Sequence, residues 1–178
     1  MPVTLEKVHK QISKKRNTLN ALHENSRDAH RLRKAGARDD RLSRHNATVS
    51  RARQPYMDRI RYIYEAIQET TEALTTEEIC EFVTKYIDRD TEEIKQLESE
   101  RRKGRPPSKR EEALKQRVQT EDREFFTGLW MPDLGDQYAM TAMRTWNGHW
   151  SGLSAIKFMR FTKNGEKLPS TFPPKSMS

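Results

Sequence analysis

The first 54 residues contain no phenylalanine, tyrosine or tryptophan, and Tyr56 is the first aromatic residue of the chain. The same stretch holds 14 lysine and arginine residues against 5 acidic ones, whereas residues 55–178 hold 20 against 21. Because a core needs bulky apolar side chains, such a segment buries too little surface to offset the entropy of ordering it. The sequence therefore predicts a basic N-terminal arm, residues 1–54, that becomes ordered on its partner.

The charge of the arm indicates the class of that partner. Basic residues recur over 50 residues without matching acids, which suits nucleic acid or an anionic membrane. No apolar run approaches the roughly 20 residues that a spanning helix needs, and residues 1–5 lack the apolar stretch of a signal peptide. Nucleic acid is therefore the favoured partner and no membrane contact is expected. A single cysteine, Cys80, agrees with a reducing compartment.

Residues 55–162 carry apolar side chains at helical spacing, which predicts a mainly α fold: a small helical body of three to five helices with one possible short C-terminal strand. We expect Pro55 in the first turn of its first helix, and capping boxes at Thr75 and Ser108 before two others. Gly104 and the prolines after it end the helix that precedes the second box. The expected core consists of Tyr56, Ile60, Ile79, Phe82, Val83, Tyr86, Leu114, Val118, Phe125, Trp130 and Trp146.

Three other segments carry weaker signals. The arm has a sparse apolar stripe that includes Leu5, Val8 and Ile12, so it is either extended or a helix stabilised mainly by docking, with an interruption at Gly36. Residues 128–134 are expected to form an apolar turn. Residues 163–178 return to proline, serine and lysine, which predicts a disordered tail.

No pattern in the chain indicates catalysis. The histidines at 9, 23, 30 and 45 are too widely spaced for a converging metal site, and there is no glycine-rich phosphate loop or nucleophile elbow. Paired carboxylates lie in first helical turns, where the helix dipole favours them. We therefore expect no enzyme, no metal and no cofactor. The acids of residues 55–100 are expected to face solvent or a basic protein.

The decapeptide RRKGRPPSKR, residues 101–110, holds six positive charges and no acid. Three interpretations remain open. Its Gly-Arg-Pro core resembles an AT-hook that lies in a narrow DNA minor groove, it could instead anchor on an RNA backbone, or it could be a solvated turn between two helices.

Six segments occur in an order that resembles the translation machinery-associated protein 16 family, in a fungal-type form. They are MPVTLEKVHKQISKKRN, ALHENSRDAHRLRKAGARDDRL, QPYMDRI, GRPPSKREEALK, EFFTGLWMPDL and WNGHW. The resemblance covers about residues 1–161. It implies a nuclear and nucleolar assembly factor, monomeric within its particle, that binds ribosomal RNA, ribosomal proteins and other assembly factors in precursors of the large (60S) subunit.

The resulting hypothesis is a non-enzymatic RNA-binding factor, with an AT-hook-like chromatin protein and a protein-only adaptor as alternatives. The resemblance contributes His23, Ser26, Arg27, Gly104 to Pro106, Arg110, Pro132 and Asp133, and charge contributes the rest. The candidate RNA-binding residues are Lys14, Lys15, Arg16, His23, Ser26, Arg27, Arg31, Arg33, Lys34, Arg38, Arg41, Arg44, Arg51, Arg53, Arg101, Arg102, Lys103, Arg105, Lys109 and Arg110.

Overall fold

The computed structural model describes residues 4–16, 22–70 and 72–174, and it confirms a mainly α fold. The described residues divide between two compact units, Met1–Pro55 and Tyr56–Ser178. None of the described helices is both long enough and apolar enough to cross a membrane. The elements are α1 (Leu5–Arg16), α2 (Arg27–Ala66), α3 (Thr76–Asp88), α4 (Thr91–Glu100), α5 (Lys109–Thr127), β1 (Leu129–Pro132), α6 (Gln137–Arg144), a 3-10 helix (Trp150–Ala155), β2 (Phe158–Phe161) and β3 (Lys167–Ser170).

The first unit pairs α1 with the beginning of α2, so the docked-helical alternative holds for the arm. The backbone N–H of Leu5 donates to Asp39 at 3.1 Å, and the Nζ atom of Lys15 lies 3.8 Å from Asp28, which makes the two helices antiparallel. Val8, Ile12 and Ala35 are buried between them. The expectation that the arm has no core of its own was therefore wrong, since aliphatic side chains suffice for one pair of helices. Ordering of the arm on RNA stays a prediction.

Two predicted helix breaks do not occur. The helix α2 continues through both Gly36 and Pro55, although Pro55 was expected to begin a helix. A proline inside a helix removes one backbone hydrogen bond at a cost of roughly 3 kcal/mol, and a glycine costs about 1 kcal/mol relative to alanine. The alanine and arginine residues around both positions are strong helix formers, and the apolar residues of α2 that follow Pro55 pack in the core, which favours a continuous helix despite these penalties.

Two helices of the second unit begin at the predicted caps, with a complete capping box at Thr75 and the hydroxyl half of one at Ser108. The Thr75 hydroxyl accepts from the Glu78 backbone, and the Glu78 carboxylate accepts from the Thr75 backbone N–H at 2.8 Å, which completes a capping box. Glu78 has a lowered pKa because of these hydrogen bonds. Ser108 caps α5 by accepting from Glu111 N at 3.1 Å. Asp90 immediately precedes α4, but its side chain makes no capping bond.

The expected core is largely observed. Seven of its predicted members are buried in one cluster, and Tyr56, Phe82 and Val118 pack against that cluster while partly exposed. Leu114 lies outside it, half-buried on α5. The buried predicted members are Ile60, Ile79, Val83, Tyr86, Phe125, Trp130 and Trp146.

A three-stranded antiparallel sheet in the order β1-β2-β3 replaces two predicted irregular segments. The predicted apolar turn is instead β1, fully buried and paired with β2, so that Trp130 lies opposite Arg160. The predicted disordered tail contains β3, which pairs with β2 through a turn at Gly165 (φ +83°). Both corrections have the same cause, because β pairing depends on distant partners that local composition does not show. Residues 175–178 lie outside the described part.

A buried arginine connects three elements of this unit. Arg59 on α2 donates to both carboxylate oxygens of Glu124 on α5, at 2.9 and 2.6 Å, and to the Trp130 carbonyl on β1 at 3.0 Å. Burial is the largest single influence and lowers the pKa of Arg59, but the hydrogen bonds and charge of Glu124, together with Tyr86, raise that pKa above its ordinary value. Next to it, the Tyr86 hydroxyl donates to Glu121, which also holds Arg89.

Two glycines allow a matched test of helix and turn geometry. A methyl group would meet no atom within 4 Å at either Gly36 or Gly104, but only Gly104 has a positive φ, +88°. We expect Gly36→Ala to stabilise the arm by about 0.5–1 kcal/mol and Gly104→Ala to destabilise the body by about 1–2 kcal/mol. Urea unfolding followed by circular dichroism measures both. Equal effects of the two substitutions would contradict the conclusion that only Gly104 needs the conformational freedom of glycine.

The Arg59 contact predicts a large stability effect. Glu124→Gln should lower the free energy of unfolding by about 3 kcal/mol, because it leaves a buried guanidinium without its counter-charge. This loss lies at the lower end of what breaking a buried ion pair usually costs, because the Glu124 side chain remains 29% exposed. The exposed Glu112 on the same helix is the control, and Glu112→Gln should change the free energy by less than about 0.5 kcal/mol. Denaturant titration measures both variants. Similar losses in their free energies of unfolding would refute the proposed contribution of the Arg59–Glu124 ion pair to stability.

Candidate nucleic-acid interface

A stripe of basic side chains follows one face of α2. Its members succeed one another at alternating intervals of four and three residues, which keeps them on the same side of an α-helix over about 27 Å. The acids of this region, Asp28, Asp39 and Asp40, fall on other faces. We call this surface the α2 stripe; it consists of Arg27, Arg31, Lys34, Arg38, Arg41 and His45.

Two acids of α2 contact α1. Asp39 accepts the backbone N–H at the start of α1, and Asp28 lies beside Lys15 near the end of α1. These two contacts hold α1 against the part of α2 that carries the stripe.

Helix α1 contributes to the same side of the hairpin. Gln11 accepts a hydrogen bond from Arg31 at 2.8 Å, which fixes the flank of α1 that borders the stripe. Lys7 and Lys14 lie one turn before and one turn after Gln11 on that flank. A groove of about 420 Å³ opens on the stripe itself, lined by Lys34, Arg38, Arg41, Leu42 and His45. Lys7 and His45 were missed as candidates, although spacing by threes and fours from the predicted residues would have found them.

Several other predicted arm residues have structural contacts. Ser26 accepts from the Ala29 backbone at 3.2 Å and so caps α2, and the Nδ1 atom of His23 accepts from Asn25 N at 3.2 Å. Arg33 donates to the Glu24 carbonyl. These contacts order the start of α2. Ser26 immediately before a helix is a recognisable capping signal, which its assignment as an RNA ligand passed over.

The remaining arm candidates do not gather at one place. Arg33, Arg44 and Arg51 share a second face of α2, about a third of a turn from the stripe. Arg53 is half-buried, and Lys14 is exposed at the end of α1. Arg16 closes α1, and its side chain lies outside the described part.

The basic loop between α4 and α5 divides its charges between two tasks. Arg101 forms an ion pair with the buried Glu111 at 3.2 Å, and Arg110 forms one with Glu93. The hydrogen bond from Lys115, together with the charge of Arg101, lowers the pKa of Glu111. These contacts let Arg101 and Arg110 hold the ends of the loop, and RNA binding by both residues stays a prediction.

Four cations of the loop remain exposed. Arg102, Lys103, Arg105 and Lys109 make no ion pair with any residue that the structure describes. The loop turns at Gly104, where Arg105 N donates to the Arg102 carbonyl at 3.0 Å. This turn presents the four charges to solvent.

The acids of α4 do not form the free acidic face that their number suggested. Glu93 pairs with Arg110, Glu98 with Lys115 at 2.6 Å, and Asp90 with Arg117. The helix α5 therefore neutralises much of α4 through ion pairs between the two helices. The sequence could not reveal this arrangement, because the partners lie on a different helix.

The structure also bears on two other points of the sequence, Asp133 and the placement of possible metal ligands. Asp133, which the resemblance had selected, pairs with Lys157 at 3.2 Å at the end of β1. Within residues 4–16, 22–70 and 72–174, no group of three histidine, cysteine or acidic side chains is placed to hold a metal ion.

Comparison with known proteins identifies one family and several of its members as similar to this chain. The model of the family described as Translation machinery-associated protein 16 matches residues 18–163. A protein of that name from Saccharomyces cerevisiae is 30% identical over 94% of this chain and 97% of its own length. Its counterpart from Danio rerio is 30% identical over 54% of this chain and 53% of its own length, and that from Mus musculus is 23% identical over 78% and 65%. The matched family model and the near full-length yeast relative show that this chain belongs to the translation machinery-associated protein 16 family.

Proposed function

We propose that this protein is a non-enzymatic assembly factor that binds ribosomal RNA in nuclear and nucleolar precursors of the large ribosomal subunit. The α2 stripe is the observation that carries the RNA-binding part of this proposal. The family's association with the translation machinery supports a ribosomal particle as the setting. Within such a particle the protein acts as a monomer, beside ribosomal proteins and other assembly factors.

The geometry of the stripe suits a regular polyanion. Its cations are about 4.5–6 Å apart along the helix axis, because each step covers three or four residues of 1.5 Å rise. Cations held on a helix face lose less conformational freedom on binding than cations on a flexible chain. Arginine and lysine at this spacing contact phosphates without reading bases, so the stripe supplies affinity rather than sequence specificity.

The loop of the second unit provides a second contact of the same kind. Arg102, Lys103, Arg105 and Lys109 are exposed cations, while Arg101 and Arg110 hold the loop in place. An AT-hook needs an extended Gly-Arg-Pro segment in a DNA minor groove, whereas Gly104 lies at φ +88° in a hydrogen-bonded turn. This geometry favours a phosphate-backbone contact over the minor-groove alternative.

Replacing stripe cations should weaken RNA binding and reduce its dependence on salt. The test changes Arg27, Lys34, Arg38 and Arg41 to glutamine and leaves Arg31 in place, because Arg31 holds Gln11. If each side chain neutralises one phosphate, the slope of log affinity against log salt should become shallower by about 3. Fluorescence anisotropy with a structured RNA, at several salt concentrations, measures this slope.

The matched control removes the same number of charges from the second unit. Arg61, Lys85, Arg123 and Lys163 are exposed, and their change to glutamine should leave the salt slope nearly unchanged. If the slope of log affinity against log salt became equally shallow in both variants, net charge rather than the stripe would determine binding, and the proposal would fail.

Crosslinking in cells should distinguish the ribosomal function from its alternatives. We expect RNA attached to the protein to map mainly to large-subunit ribosomal RNA, and purified protein to prefer structured RNA to AT-rich DNA at equal salt. Preference for AT-rich duplexes would instead support the chromatin alternative. Partner interactions that all survive nuclease treatment would support a protein-only adaptor.

A further inference from the structure

An open groove of about 670 Å³ lies on the second unit, where α3, α4 and α5 meet. Its apolar lining comes from Ile87, Ile94 and Val118, one residue from each helix, and Ile94 and Val118 remain partly exposed. The volume is within the range of about 300–1,000 Å³ that accommodates ligand groups in proteins. The groove is therefore large enough for one or two aliphatic side chains.

The rim of this groove is anionic. Asp88, Glu112 and Asp122 are exposed on it, and none of the three makes an ion pair with a residue in the described part of the chain. Lys115 also lines the groove, but it is shared between Glu98 and Glu111, at 2.6 and 2.8 Å. The rim thus retains three carboxylates without an ion pair in the described residues, although Asp88 acts electrostatically on Lys95, whereas Glu93 and Glu98 of α4 pair with α5.

We propose that this groove binds a lysine- and arginine-rich segment of a partner protein, with an aliphatic side chain of that segment seated against Ile94 and Val118. Apolar contact at the centre and charge pairing at the rim are the arrangement by which such interfaces combine affinity with selectivity. Three carboxylates repel phosphate, so nucleic acid does not suit the groove. This inference does not depend on RNA binding by the arm.

The test uses the full chain and a fluorescein-labelled peptide of twelve residues, in which lysine and arginine pairs alternate with single leucines. Removing the rim charges with D88N/E112Q/D122N should weaken peptide binding about tenfold, because three exposed ion pairs are lost together. The control E65Q/E69Q/E72Q removes the same charge from exposed acids elsewhere and should change affinity less than about twofold. A peptide with serine in place of leucine should also bind more weakly than the parent.

Three outcomes of this titration would overturn the inference. They are no binding by the wild-type chain, equal weakening by both triple variants, or equal affinity for the leucine and serine peptides. RNA affinity is measured on the same samples, and it should be unchanged in D88N/E112Q/D122N. Loss of peptide binding can in this way be separated from any failure of the RNA-binding proposal.

Carbodiimide crosslinking, which joins a carboxylate directly to a lysine, identifies the occupant. Links from Asp88, Glu112 or Asp122 to the peptide support the inference. Links from these carboxylates to arm lysines of the same molecule would overturn it, since the chain itself would then be the occupant. Links between isotope-labelled and unlabelled copies would overturn it in favour of self-association.

Discussion

The body depends on one buried guanidinium. Arg59 binds a carboxylate on α5 with two hydrogen bonds and the Trp130 carbonyl on β1 with a third, so α2, the sheet and α5 share one contact. Its charge also lies 5.9 Å from the rings of both Tyr56 and Tyr86. A planar guanidinium can donate hydrogen bonds in all these directions at once, whereas a lysine ammonium lacks this rigid planar set of donors. Because α5 carries one end of the basic loop and one wall of the acidic groove, both surfaces take their positions from this contact.

Charges of one sign have different roles in this chain. Arg59 and Arg89 are bound inside the second unit, and Arg101 and Arg110 fix the ends of a loop. The basic residues of the α2 stripe, by contrast, follow one another along one face of a long helix. Composition alone does not distinguish the cations that hold the fold from those that lie on its surface. Their function follows from whether a carboxylate on another element is close enough to compensate them, and that is decided by packing.

Local signals in the sequence were sufficient for much of the fold. Thr75 and Ser108 mark helix starts because a capping contact involves residues three apart, and the apolar spacing of α3 identified Ile79 and Val83 as core. The sheet was missed because β3 exists only through pairing with β2, as at Phe158 and Ser170. The candidate site shows the same limit. The positive charge of the arm was evident, but its arrangement as a stripe required knowing that α2 continues through Gly36.

Salt should act differently on the fold and on the surfaces of this protein. Mobile ions screen exposed charges beyond about 10 Å at 0.1 M ionic strength, while a buried pair is screened much less. The Arg59 side chain is 5% exposed, so its attraction to Glu124 persists at salt concentrations that weaken contacts of the α2 stripe with phosphates. The body can therefore remain folded while the protein dissociates from a polyanion. In a chain of this design, ionic strength changes occupancy before it changes structure, since the ion pair that connects α2 with α5 is largely shielded from mobile ions.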